Sequence, residues 1–113
     1  MNMSNNLYFL ANQGCDATTY GLARISDDEL PRFKTIIENL NKNSYYGCMP
    51  VISVYKINMN DLKEIQYNPN AHIFDDDYVS PEDVFYLDGK TYTFSEKYFS
   101  YYELPCIIQG WGE

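Results

Sequence analysis

The stretch TTYGLARISDDELPRFKTIIENL, residues 18–40, decides the fold. Its first half, Thr18 to Ile25, is rich in β-branched and aromatic residues and reads as a strand, with Gly21 as the place for a bulge. Its second half sets Leu30, Phe33, Ile37 and Leu40 at helical spacing, with Ile36 widening the apolar stripe. That spacing predicts a helix of about three to four turns lying across one face of a sheet. Between the halves, Ser26-Asp27-Asp28-Glu29 has the form of a capping box, in which Ser26 accepts from the first turn and Glu29 reaches back. Pro31 argues for a later start: an N-cap at Asp28 puts Pro31 in the first turn, where its missing N–H costs little.

Outward from this stretch, Leu7 to Ala11 is a short apolar run that forms a hairpin with the Thr18 strand around the loop Asn12 to Ala17. Val51 to Ile57 is a further strand, and Asn60 to Ile65 makes a helical turn capped by Asn60. Gln66 to Glu82 is polar, holds two prolines and the run Asp75-Asp76-Asp77, and reads as a long surface loop. Val84 to Leu87 and Thr91 to Phe94 flank Asp88-Gly89, a type I′ hairpin signal, and Cys106 to Gln109 supplies a last short strand. The expected fold is one α+β domain, residues 1–113: an antiparallel sheet of about four to six strands with one main helix packed on one face.

Sixteen acidic residues against eight basic ones give a net charge of −8. Such a chain is repelled by nucleic acid and by anionic membrane, and its natural complement is a basic protein surface. No apolar run approaches the roughly 20 residues of a membrane span, and MNMSNNLYFLANQG has no Lys or Arg ahead of its apolar patch, so neither a span nor a secretory signal is expected. Three cysteines, at 15, 48 and 106, fit reduced thiols in a cytosol better than a disulfide framework.

Reactive constellations are absent. Cys15, Cys48, Cys106 and His72 lack the close spacing of a zinc site, and His72 has nothing in sequence to orient it as a base for a cysteine nucleophile. Asp88-Gly89-Lys90-Thr91 imitates the end of a P-loop, but Val84 stands where the first glycine belongs. Asp75 to Asp77 lack the alternation of a calcium loop. We therefore expect a non-enzyme with no metal and no cofactor.

Two features point to binding instead. In DDDYVSPEDVFYLDGKTY and SEKYFSYYE, acids interleave with tyrosines, and 12 of the 19 aromatic residues are tyrosine. Tyrosine gives rigid contact area and carboxylates pair with Arg and Lys, so Asp75, Asp76, Asp77, Tyr78, Glu82, Asp83, Tyr86 and Tyr101 form the candidate protein-binding surface. The plainer reading is that alternate tyrosines line a core while the acids face solvent. The other feature is a pair of Gly-Cys loops, Gly14-Cys15-Asp16 and Tyr46-Gly47-Cys48-Met49-Pro50. If they meet, Asp16, Thr18, Thr19, Ser44, Tyr45 and Tyr46 gather into a corner for a small polar ligand such as a nucleotide signal. Otherwise Gly47 merely ends the helix and Pro50 sets up the next strand.

The GCDATT loop, the capped helix and NSYYGCMPV together resemble small accessory proteins of bacteriophages and related mobile elements, over residues 7–57. The resemblance implies a bacterial cytoplasm and an accessory role, and carries over no catalytic residue. In size and acidity the chain is also similar to anti-CRISPR proteins. That likeness implies inhibition of a host nucleic-acid-handling enzyme by occupation of its basic surface, without direct nucleic-acid or membrane binding. Sequestration of a small ligand, membership of a phage assembly through the tail around Trp111, and homodimerisation stay open.

Overall fold

The computed structural model describes residues 5–14, 18–43 and 51–110. In chain order these form β1 (Asn5–Gln13), β2 (Thr18–Ser26), α1 (Leu30–Lys42), β3 (Val51–Ile57), β4 (Lys63–Glu64), β5 (Val84–Leu87), β6 (Lys90–Thr93) and β7 (Cys106–Ile108), with short 3₁₀ turns at Met59–Asp61, Pro81–Asp83 and Tyr101–Glu103. The α+β class is as expected, but the strands divide between two antiparallel sheets, ordered β2-β1-β3-β7 and β4-β6-β5, where one sheet of fewer strands is expected. Contacts group the chain into two compact units. One comprises the described parts of Met1–Ile57 and Glu103–Glu113, the other Asn58–Tyr102.

In the first unit, β1 is central, and its LYFLA run is apolar at every position because both of its faces are buried. Tyr8 packs with Val54, Ile37 and Ile108, and Leu10, Ile25, Leu30, Phe33, Ile52 and Ile107 close around them. On the alternate positions Phe9 and Ala11 are wholly buried, and the Phe9 ring lies 5.5 Å from Tyr20 and 6.3 Å from Tyr55. The β1–β2 ladder runs unbroken from Asn5↔Ser26 to Gln13↔Thr18, through Leu10↔Gly21, so Gly21 makes no bulge. The irregularity lies elsewhere, in a register shift between Val54 and Tyr55 where β3 meets β7.

Helix α1 departs from expectation at both ends of its stripe. It begins at Leu30, with Pro31 in the first turn and Glu29 as an N-cap that makes no side-chain cap bond. The Ser26–Glu29 pair is present, with the Ser26 hydroxyl donating to Glu29 Oε1 (3.1 Å) and accepting from the Glu29 N–H (3.3 Å), but it closes the turn between β2 and the helix rather than capping the helix. Leu30, Phe33 and Ile37 face the sheet, whereas Ile36 and Leu40 are about half exposed, at 48% and 52%. The stripe advances by four residues from Phe33 to Ile37 to Asn41, and the polar Asn41 takes the place expected for Leu40.

The second unit is built on the β5–β6 hairpin, where Asp88 (φ 53°) and Gly89 (φ 79°) both take the left-handed conformation that a type I′ turn demands. Phe85 stacks on Phe94 at 4.1 Å and on Tyr92 at 5.6 Å. The turn before β4 is capped by Asn58, not Asn60: the Asn58 N–H donates to Asp61 Oδ2 at 2.9 Å, and the Asp61 N–H donates to the Asn58 carbonyl at 2.9 Å. No helix among the described residues is long and apolar enough to cross a membrane.

Candidate protein-binding surface

Charge is distributed unequally between the units. Asn58–Tyr102 holds nine acidic and three basic residues, so it carries −6 of the chain's −8. Asp75, Asp76, Asp77 and Glu82 are exposed, and Asp83 is half-buried. The three aspartates occupy a segment, residues 65–80, without helix or strand, which is nevertheless closed by its own hydrogen bonds. Asn68 starts it with an Asx turn, accepting at Oδ1 from the Asn70 N–H (2.9 Å) and at its carbonyl from the Ala71 N–H (3.2 Å). The Asp75 N–H then donates to the His72 carbonyl (2.8 Å), while Asp75 Oδ2 accepts from the His72 N–H (2.9 Å). The next turn follows directly, with the Tyr78 N–H donating to the Asp75 carbonyl (3.1 Å). Long loops of this kind, ordered by their own contacts, are more often functional than connective.

Glu82 and Asp83 are placed by the 3₁₀ turn Pro81–Asp83, which Ser80 caps by accepting from the Glu82 N–H at 3.4 Å. The Asp83 carbonyl accepts from the Phe94 N–H at 2.8 Å, fixing the turn to the start of the β5–β6 ladder. Burial, and then the charges of Glu82 and Glu96, push the Asp83 carboxyl above its ordinary pKa. Glu82, Asp83 and Glu96 thus form one electrostatic neighbourhood. Tyr86 is 71% exposed on β5, an edge strand, and Tyr78 is half-buried.

Tyr101 must be withdrawn from this surface. It is only 2% exposed, with its ring stacked on Tyr102 at 4.2 Å, so it serves as core, while Tyr102 is the exposed member at 65%. Sequence reasoning also missed Ile73 and Phe74, exposed at 68% and 93% immediately before the aspartates. The signal was there as an apolar pair inside a polar loop. Tyr78-Val79 offers the same signal, yet Val79 is buried at 5% and anchors the loop.

For the alternative ligand corner, Thr18 and Thr19 are exposed at the start of β2, paired with Gln13 and Asn12. Asp16, Ser44, Tyr45 and Tyr46, with Cys15, Gly47 and Cys48, lie outside the described residues, as does the tail at Trp111. Asn12 Oδ1 is buried with no hydrogen-bond partner. An open groove of about 480 Å³ beside the end of α1 is lined by Glu38, Asn41, Lys42, Ile107, Ile108 and Gln109, and its charges are of opposite sign one helical turn apart. Among the described residues no three His, Cys, Asp or Glu side chains converge as metal ligands. Compared with known proteins, the chain matches no protein-family model, no curated sequence and no solved structure.

Proposed function

We propose that the chain is a binding protein whose Asn58–Tyr102 unit docks on a basic protein surface, and that it works by occupation rather than by turnover. The supporting observation is the concentration of charge: −6 of −8 within this unit, with Asp75 to Asp77 exposed on a hydrogen-bonded loop. A surface that neutralises such a run needs clustered Lys and Arg, which is also what a nucleic-acid channel presents. The finer reading is inhibition of a bacterial host's nucleic-acid-handling defence enzyme, anti-CRISPR-like, with carboxylates standing where phosphates would bind and Tyr86 and Tyr78 adding contact area. Affinity capture from a bacterial lysate, with elution by nucleic acid and by salt, tests it. Elution of a basic nucleic-acid-binding protein by both supports the reading. Capture that survives salt and is indifferent to Asp75→Asn/Asp76→Asn/Asp77→Asn contradicts it.

A second reading has one observation in its favour. Asn12, whose Oδ1 is buried without a hydrogen-bond partner, pairs in the β1–β2 ladder with Thr19, which with Thr18 is exposed and belongs to the candidate ligand corner. Sequestration of a nucleotide signal there predicts a rise in melting temperature with ligand that Thr19→Ala reduces; no rise with cyclic nucleotides or NAD-derived compounds removes it.

A further inference from the structure

We infer that Ile73 and Phe74 are the apolar anchor of this docking loop, and that the partner surface is an apolar pocket rimmed by Lys and Arg rather than a uniformly basic patch. The inference rests on the reading of the Asn58–Tyr102 unit as a binder of basic protein surface, and specifies what the partner must look like.

Ile73 and Phe74 occupy the two central positions of the turn that the Asp75 N–H closes on the His72 carbonyl, at 2.8 Å. The same turn is pinned a second time by the Asp75 carboxylate accepting the His72 N–H at 2.9 Å. The two bonds fix the backbone of the turn, and on it Phe74 stands 93% exposed and Ile73 68%. Held outward, the pair is pre-organised, which spares the ordering cost that a loose loop meets on binding. Large side chains entering a pocket at the centre of a contact, ringed by polar groups that shut out water, are what dominate protein–protein affinity.

The neighbours choose between occupants. Asp75, Asp76 and Asp77 follow Phe74 without a gap and are exposed, so whatever receives Phe74 meets three carboxylates at its rim. A second copy of a chain of net charge −8 brings like charge to that rim. A lipid surface would have to draw the same three carboxylates to its headgroups, and anionic headgroups repel them. A protein pocket with basic walls satisfies both parts, with the apolar pair setting residence time and the carboxylates setting approach.

Two peptide probes of equal positive charge separate the parts: an amphipathic helical peptide of alternating Lys and Leu faces, and oligolysine. Binding is measured by calorimetry at about 50 mM and about 300 mM salt, across which screening of exposed charges rises steeply. The inference predicts that the intact protein binds the amphipathic peptide at least about ten-fold more tightly than oligolysine, and that Phe74→Ser, and independently Ile73→Ser, erases this preference while leaving oligolysine binding unchanged. Both side chains are exposed, so the variants keep their melting temperature. An absence of preference in the unaltered protein, a preference that survives Phe74→Ser, or Phe74-dependent binding to neutral phosphatidylcholine vesicles overturns the inference. The parent reading fails separately: it falls if Asp76→Asn/Asp77→Asn leaves oligolysine binding unchanged.

Discussion

The side chain of Asn41, in the last turn of α1, completes both backbone groups of Ile52 in β3: the Ile52 N–H donates to Asn41 Oδ1 at 2.7 Å, and Asn41 Nδ2 donates to the Ile52 carbonyl at 2.9 Å. Strand β7 is too short to do this, since it pairs only with Val54 and Tyr55. An amide is the side chain that supplies one donor and one acceptor at the spacing of a peptide group. Asn41 therefore acts as one further residue of the missing strand and ties the helix to the sheet.

Asn41→Ala leaves a partly buried N–H and carbonyl unpaired and costs about 1–3 kcal/mol. Asn41→Asp keeps the acceptor, loses the donor and sets a carboxylate against the Ile52 carbonyl, so it is also destabilising. Urea denaturation of both variants, with the slope unchanged and the midpoint lowered, checks this. A midpoint equal to that of the unaltered protein would show that water replaces the amide at no cost.

Gly110 leans on the same strand. Its N–H donates to Ser53 Oγ at 2.9 Å, and a Cβ there would stand 2.9 Å from the Ile52 carbonyl carbon and oxygen. Ser53 is itself buried at 2%, so the chain has little room to retreat. Gly110→Ala is expected to cost about 1–3 kcal/mol, the usual penalty of overpacking. By contrast Gly21→Ala meets nothing within 4 Å and is expected to be close to neutral. Melting temperatures of the pair make the comparison.

Much of the fold was legible because its signals are local: in the first unit the LYFLA run, the VISVYKI strand and the helical stripe, and in the second the Asp88-Gly89 turn, each name an element from neighbouring residues. The misjudged residues depend on partners distant in sequence. Asn41 and Leu40 exchange roles because Ile52 needs an amide, and a split into two sheets cannot be read from strand count. The acidic loop was legible by composition, its apolar tip was not. Tyr78-Val79 and Ile73-Phe74 look alike until the chain path buries Val79 and displays both Ile73 and Phe74. Tyr101 and Tyr102 present the same ambiguity between adjacent tyrosines.

Asp83 gives the second unit a pH dependence of definite sign. Its folded pKa is raised, by burial first and by Glu82 and Glu96 second, so the folded state favours the protonated form. Its contribution is fully present below the ordinary carboxylate pKa and is lost as pH rises through the raised value. Asp83→Asn should therefore stabilise the protein at neutral pH by less than about 1 kcal/mol, the residue being only partly buried, and the gain should vanish in mild acid. Melting curves from acid to neutral pH would contradict this if the gain grew on acidification.

Cys106 is expected to be a sluggish thiol despite its exposed position. Partial burial raises its pKa, offset only in part by hydrogen bonding to the Ile108 backbone, and Sγ donates to the Ile108 carbonyl at 3.2 Å. Since the thiolate is the nucleophile, iodoacetamide at neutral pH should label Cys106 more slowly than free cysteine, as followed by peptide mass spectrometry. Labelling faster than free cysteine would contradict this.

The most direct measurement is the salt dependence of affinity for the basic protein recovered from lysate, with and without Asp75→Asn/Asp76→Asn/Asp77→Asn. Asparagine at 75 can still accept the His72 N–H, so the variant removes charge while keeping the turn. The account predicts at least about ten-fold weaker binding at low salt and a flatter decline as salt rises. Equal affinity and equal slope for the two proteins would contradict it.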